Sequence, residues 1–201
     1  MNEFTRLSVD EFLDRLSDRT PTPGGGAAAA AGGALSCAMG RMVAAYSVGK
    51  KTLEEVGGRI EPAREKLRCL DEMLRRMIAE DAVAYSYMTS VDRSDVPAYQ
   101  AAVIAAVSVP LGIAAAASEA LEVLDDLKGD ASHYLLSDLG VAAVMADATA
   151  RSAAYSVRVN LPEVSDRETR DRLGGDIRRI VGHCDRRRAS IEAFVQDRLS
   201  E

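Results

Sequence analysis

The sequence predicts an all-α, single-domain multi-helix bundle with a long buried Gly/Ala-rich central helix. Three observations carry this expectation. Apolar residues fill 47% of the 201 positions, yet aromatics fill only 4% and Trp is absent. The apolar content is therefore small and Ala-rich, which favours closely packed helices over sheet. No convincing period-two alternation appears anywhere along the chain. Apolar residues instead recur at spacings of three and four between capping and Pro/Gly signals. The length suits one domain over residues 1–201, and charged residues at 28% argue against disorder.

Taken in order, Ser8-Val9-Asp10-Glu11 matches a capping box and predicts a short helix carrying Phe12, Leu13 and Leu16. Thr20 to Gly26 reads as a loop, because two prolines block helix and three glycines permit unusual backbone angles. A helix from about Ala27 to Val48 follows. Its small residues Ala29, Gly33, Cys37 and Gly40 share one stripe, so a second backbone can approach closely. Pro62 fits the first turn of the next helix. That helix has an apolar stripe of Leu67, Leu70, Leu74, Met77, Tyr85 and Met88, interrupted at Asp81. A carboxylate inside an apolar stripe is a conflict between chemistry and fold of the kind that gathers at functional sites. A partly exposed Asp near a helix end is the plainer reading.

Two helical pieces, Ala98 to Val107 and Leu111 to Leu127, are expected to break or kink at Pro110. Ser137 is expected to cap a helix running to about Asn160, with Asp138 near its positive end. Counting in sevens from Asp138 gives Met145, Ser152 and Val159, which admits an inward register; capping alone accounts for Asp138 equally well. Ser165 to Glu168 reads as a second capping box. It opens a last helix with Leu173, Ile177, Ile180, Cys184, Ile191 and Phe194 on its apolar side, giving six or seven helices in all.

Charge and composition exclude several classes. With 25 basic and 31 acidic residues, the net charge of −6 lacks the positive field of a nucleic-acid binder. Arg186-Arg187-Arg188 reads as a solvated helix face. Three widely spaced cysteines, Cys37, Cys69 and Cys184, suit reduced thiols in a cytoplasmic protein and form neither a disulfide framework nor a zinc site. His133 and His183 have no partners at metal-ligand or triad spacing. The N-terminus lacks a signal-peptide core, and the uncharged run from Thr20 to Gly40 is Gly, Ala and Pro rather than Leu, Ile and Phe, so no membrane span is expected.

The glycine run is neither a P-loop nor a dinucleotide fingerprint, since no Gly-Lys-Ser/Thr follows and no strand precedes it. It is either a tight interhelical turn or an amide-rich seat for an anionic or carbonyl-bearing ligand at a helix N-terminus. Lys50 and Lys51 at the far end of the same helix suit its dipole, and equally a carboxylate-rich ligand.

In order along the chain stand Thr22-Pro23-Gly24-Gly25-Gly26, Gly32-Gly33-Ala34-Leu35, Met42-Val43-Ala44, Gly49-Lys50-Lys51, Asp81-Ala82 and Val109-Pro110. Ser137-Asp138-Leu139-Gly140-Val141-Ala142-Ala143 and Val157-Arg158-Val159-Asn160-Leu161 complete the set. In these segments the chain resembles the cyclodeaminase/cyclohydrolase family. That family comprises the cyclodeaminase domain of formiminotransferase-cyclodeaminase and the stand-alone methenyltetrahydrofolate cyclohydrolases. The chain departs from the family pattern at Ala27, where Ser usually follows the glycines, and in the segments before Gly49 and Ser137.

The resemblance implies an all-helical homodimer with a folate site near the subunit interface, acting on the N5–C–N10 bridge of tetrahydrofolate. It implies a carboxylate beside that bridge, with Asp138 as first candidate and Asp81 as second. Lys50 or Lys51 would bind the glutamate tail. Pro23, Gly24, Gly25 and Gly26 would hold the pterin or aminobenzoyl part, and Arg158 and Asn160 would bond the pterin or anchor the acids. No metal or redox cofactor beyond the folate substrate is expected, because the chemistry changes no oxidation state. Cyclohydrolase, cyclodeaminase and a non-catalytic pterin-binding or protein-interaction dimer all remain open.

Overall fold

The structure, a computed structural model, describes residues 4–47 and 53–200, with backbone alone for 53–57. The described residues form six α-helices: α1 (Val9–Ser17), α2 (Gly25–Ser47), α3 (Leu53–Ser90), α4 (Val96–Leu127), α5 (Leu136–Asn160) and α6 (Arg167–Leu199). Single 3-10 turns join several of them, and no strand occurs among the described residues. Ser8 and Glu11 form the expected capping box: the Ser8 amide donates to the Glu11 carboxylate at 2.7 Å and the Glu11 amide to the Ser8 hydroxyl at 3.2 Å. Short α1 buries nothing and only leans Phe12 on the core.

Helix α2 is the central element, packed between α3 and α5. Its buried line of Ala27, Ala30, Gly33, Ala34, Cys37 and Gly40 lets both neighbours come close. Against α3 the packing repeats every seven residues. A methyl on Gly40 would lie 3.0 Å from Leu67, one on Gly33 would lie 3.1 Å from Leu74, and one on Gly26 would fall on the Asp81 carboxylate. The two helices therefore run antiparallel, and Leu67, Leu74 and Asp81 occupy equivalent seats opposite three glycines. Against α5, the buried Ser36 hydroxyl donates to the Ala142 carbonyl at 2.7 Å. At the other end the Ser132 amide donates to the Ser47 hydroxyl at 3.1 Å, so this pair is antiparallel too.

Several local expectations are corrected. No described glycine has a positive φ, so the glycines of α2 serve close approach rather than unusual backbone angles. Pro62 lies inside α3 rather than at its start, because the helix already runs from Leu53. Helix α4 continues through Pro110 without a break. Ser137 is the second residue of α5 and caps nothing; the 3-10 turn His133–Leu135 feeds directly into the helix. The N-cap of α6 is Asp166, whose side chain accepts from the Thr169 amide at 2.8 Å, rather than Ser165. On α6, Leu173, Ile177, Cys184 and Ile191 are buried as expected, while Ile180 and Phe194 are half-buried.

By length and composition α2 and the stretch Val96–Asp130 are long and apolar enough to cross a membrane, yet half or more of the most apolar window of each is buried inside the fold. Such burial is what a core helix of a bundle requires. Ion pairs fasten the periphery. Buried Asp71 on α3 accepts from Arg75 at 2.6 Å and from Arg41 of α2 at 3.4 Å. Buried Asp147 on α5 accepts from Arg151 at 2.8 Å and lies 3.3 Å from Arg188 of α6.

Candidate active site

The start of α2, the last third of α3, the middle of α4 and the end of α5 converge on a cavity of about 230 Å³. Its walls are Pro21, Thr22, Gly24, Gly25, Gly26, Asp81, Tyr85, Ala106, Ser156, Val159 and Asn160. Each wall has a local cause. The loop of Pro21, Pro23 and Gly24 ends where α2 begins at Gly25, short of the expected Gly26, and delivers the helix amide-first into the space. Gly26 has no side chain, so α3 comes near enough for Asp81 to sit on the first turn of α2. Residue 160 ends α5 because Leu161-Pro162 turns the chain away in a 3-10 turn. That turn is tied to α4, where the Tyr99 hydroxyl donates to Glu163 at 2.9 Å and the Gln100 amide to the Glu163 carbonyl at 3.0 Å.

Asp81 is half-buried, and the Ala27 amide donates to its carboxylate. Burial raises its pKa above the ordinary carboxylate value, and the Ala27 bond offsets only part of this. A carboxylate tuned upward, held by a backbone amide and facing a cavity, is suited to exchanging a proton with a bound ligand. The side chain at position 27 is fully buried and its contribution to the site is its amide, which Ala supplies as well as Ser. Opposite stands Asn160, half-buried, whose Nδ2 donates to the Ala106 carbonyl at 3.1 Å.

The structure thus brings together Asp81, Gly24, Gly25, Gly26 and Asn160. Pro23 is buried just behind the loop and does not reach the cavity. Arg158 is exposed on another side of α5, its guanidinium 5.9 Å from the Tyr155 ring centroid. Asp138 is half-buried at the opposite end of α5, about 33 Å from Asn160 at the helical rise of ~1.5 Å per residue. Its seven-residue line of Met145, Ser152 and Val159 is half-buried to exposed, and the buried side of α5 is instead Leu139, Ala142, Ala146, Ala150, Ala153 and Val157. Within one chain, the first candidate carboxylate and the pocket are separate. Lys50 and Lys51 lie outside the described residues. Ser156 escaped the sequence reading and Tyr85 entered it only as part of the apolar stripe of α3, although each stands one helical turn from a named residue, Asn160 and Asp81. Among the described residues no three His, Cys, Asp or Glu side chains converge as a metal site would need.

Known proteins share this arrangement of helices. The crystal structure of formiminotetrahydrofolate cyclodeaminase from Thermotoga maritima superposes with a TM-score of 0.92 at 27% identity, covering 97% of this chain and 98% of that one. A methenyltetrahydrofolate cyclohydrolase of Methylorubrum extorquens is 34% identical over 170 residues, covering 80% of this chain and 82% of the relative. The formimidoyltransferase-cyclodeaminase of Gallus gallus is 25% identical over 197 residues, which is 93% of this chain and 36% of that longer protein. The formiminotransferase-cyclodeaminase family profile matches residues 8–179, a span holding the glycine loop, Asp81, Asp138 and Asn160. By this match and by its helical architecture, the chain belongs to the formiminotransferase-cyclodeaminase family.

Proposed function

We propose that the protein is a methenyltetrahydrofolate cyclohydrolase, which hydrolyses the N5–C–N10 bridge of 5,10-methenyltetrahydrofolate to 10-formyltetrahydrofolate, or runs the reverse reaction. The observation that carries this reading is Asp81 at the cavity, with its raised pKa and its seat on the Ala27 amide. The 34% identical relative is a cyclohydrolase. The substrate bears an amidinium cation spread over N5 and N10. A carboxylate beside it stabilises that charge and takes a proton from water as the oxygen adds to the bridging carbon. That proton then goes to N5 as the C–N5 bond breaks, the adduct's hydroxyl gives up its own proton to solvent as it becomes the carbonyl, and the formyl group stays on N10. No redox partner enters this scheme, because no oxidation state changes, and the carboxylate rather than a metal takes the proton of water.

The cavity alone does not house a whole folate. At about 230 Å³ it is smaller than the ~300–1,000 Å³ usual for ligand pockets and fits one ring system. The reading therefore includes a second copy of the chain. Large apolar side chains stand exposed along α2 and α5: Leu35 is 58% exposed, Tyr46 70%, Val144 46%, and Tyr155 and Val159 72% each. Small residues line the groove between the two helices, including Gly25, Ala28, Gly32 and Ala148. Such a face marks an interaction surface. A two-fold axis near Ala148 would pair the two α5 helices antiparallel and bring Asp138 of the partner subunit level with residue 158, beside the pocket.

Loss of methenyltetrahydrofolate absorbance with and without protein tests the reading. Acceleration that disappears in Asp81→Asn supports it. Ammonia release from formiminotetrahydrofolate would instead favour cyclodeaminase chemistry, which the 0.92 TM-score to a cyclodeaminase keeps as the second reading. Tight folate binding without turnover would reject both and leave a binding module.

A further inference from the structure

Pro110 stands inside α4 and is buried, yet it does not line the cavity. In an α-helix the amide of residue 110 would donate to the carbonyl of residue 106. Proline has no amide hydrogen, and its ring crowds that same carbonyl. Ala106 is buried, 5% exposed, and its carbonyl is left without its helical partner. An unmet buried carbonyl is costly. Asn160 meets it across the cavity wall, donating from Nδ2 at 3.1 Å.

This fixes more than a position. The two halves of an amide side chain differ only in whether they donate or accept. A backbone carbonyl accepts only, so the nitrogen half of Asn160 must face Ala106. The oxygen half then remains for a ligand, and among the described residues nothing donates to it.

We propose that Pro110 is a positioning residue for ligand recognition: by withholding an amide from Ala106 it turns Asn160 so that Oδ1, an acceptor, is offered to the pocket. The group recognised there is an N–H donor, the kind that the amide and amino edge of a pterin-like heterocycle presents. The proposal rests on the reading of this cavity as the folate site. With an amide restored at position 110, Ala106 is satisfied within α4, and Asn160 is free to flip and to offer either half.

The test is a cycle of Pro110→Ala, Asn160→Ala and the double variant, with kcat and KM for methenyltetrahydrofolate and thermal midpoint measured for each. Loss of one hydrogen bond predicts a KM raised about tenfold in Asn160→Ala. Pro110→Ala is expected to raise KM by about threefold or more, with kcat within about twofold and a thermal midpoint no lower than wild type, since Ala is the better helix former. In the Asn160→Ala background, Pro110→Ala is expected to leave KM unchanged, because its effect runs through Asn160. Pro110→Val, nearer in volume and carrying the same amide, guards against a packing defect and is expected to match Pro110→Ala. A KM effect of equal size in both backgrounds would overturn the proposal, as would a raised KM in Asn160→Ala with none in Pro110→Ala or Pro110→Val. An unchanged KM in Asn160→Ala would overturn the folate reading of the cavity and the proposal with it.

Discussion

Gly26→Ala separates the role of Asp81 in chemistry from its role in packing. The added methyl falls on the Asp81 carboxylate, which must swing away from the Ala27 amide. Two terms then oppose each other in stability. Alanine gains up to ~1 kcal/mol over glycine in a helix, less in a first turn. Losing a hydrogen bond to a charged group costs ~1.5–3 kcal/mol, of which a half-buried carboxylate recovers part by turning to water. The net is about 1 kcal/mol, or ~2–4 °C in thermal midpoint for a chain of this size. Activity responds differently, because displacing a reacting group by ~1 Å costs about 100-fold. At the two equivalent seats the order reverses. Methyls at Gly33 and Gly40 meet fully buried leucines, Leu74 at 3.1 Å in one case and Leu124 at 2.7 Å and Leu67 at 3.0 Å in the other. Overpacking there costs ~1–3 kcal/mol and should leave the turnover of folded protein nearly intact. Melting curves and kcat/KM on the three single variants decide the matter. If Gly26→Ala turns over within about threefold of wild type, the placement of Asp81 does not control the reaction and the reasoning fails.

Four further outcomes follow. Asp81→Asn keeps an oxygen for the Ala27 amide and removes a charge that burial disfavours. Because the folded pKa of Asp81 is raised, its favourable contribution is present below the unfolded value and lost as pH rises through the folded one. Asp81→Asn should therefore melt no lower than wild type at pH 7–8, lose that advantage in acid, and turn over about 10²–10⁴-fold more slowly; melting at several pH values alongside activity checks both halves. The acidic limb of the wild-type kcat/KM profile should also lie above an ordinary carboxylate value. Thiol titration of native protein should find Cys69 reacting first, because Cys37 and Cys184 are buried with pKa values pushed up to about 12 and about 11; equal rates for all three would contradict the packing. Mixing Asp81→Asn and Asp138→Asn chains, each inactive alone, should restore about a quarter of wild-type activity if two-fold dimers pool one intact site per mixed pair; no recovery after confirmed exchange would remove Asp138 from the pocket.

The helical class, the small-residue face of α2 and the entry of the glycine loop into a helix N-terminus were all legible, because each depends on residue size and periodicity. Asp81 was legible as the wrong chemistry in a right-spaced stripe. Asp138 drew more weight because it sits in a dense motif, yet a motif marks a stretch of chain and carries no information about which end of a helix meets a pocket. The start of α3 was misread because Pro62 looks like a helix opening, while propensity alone does not show that nine residues before it already coil. Pro110 was read as a break for the same reason. A proline costs a helix one hydrogen bond, and only the fold reveals that Asn160 arrives to replace it.

Asp81 and Asn160 share a logic that ties site to scaffold. Each occupies a place where a repeating packing element is missing one component. At Asp81 the leucine of the α2–α3 repeat is replaced by a carboxylate opposite the last glycine, at the point where α2 begins and its amides are unspent. At Asn160 a helical bond within α4 is missing, and the carbonyl it leaves holds a side chain from α5. Had the repeat continued with leucine and α4 with an ordinary residue, the same helices would pack and the cavity would lose both its carboxylate and its oriented amide. The cavity therefore sits where the fold carries two local defects at one end of the bundle, while the leucine seats farther along the α2–α3 repeat keep the regular packing.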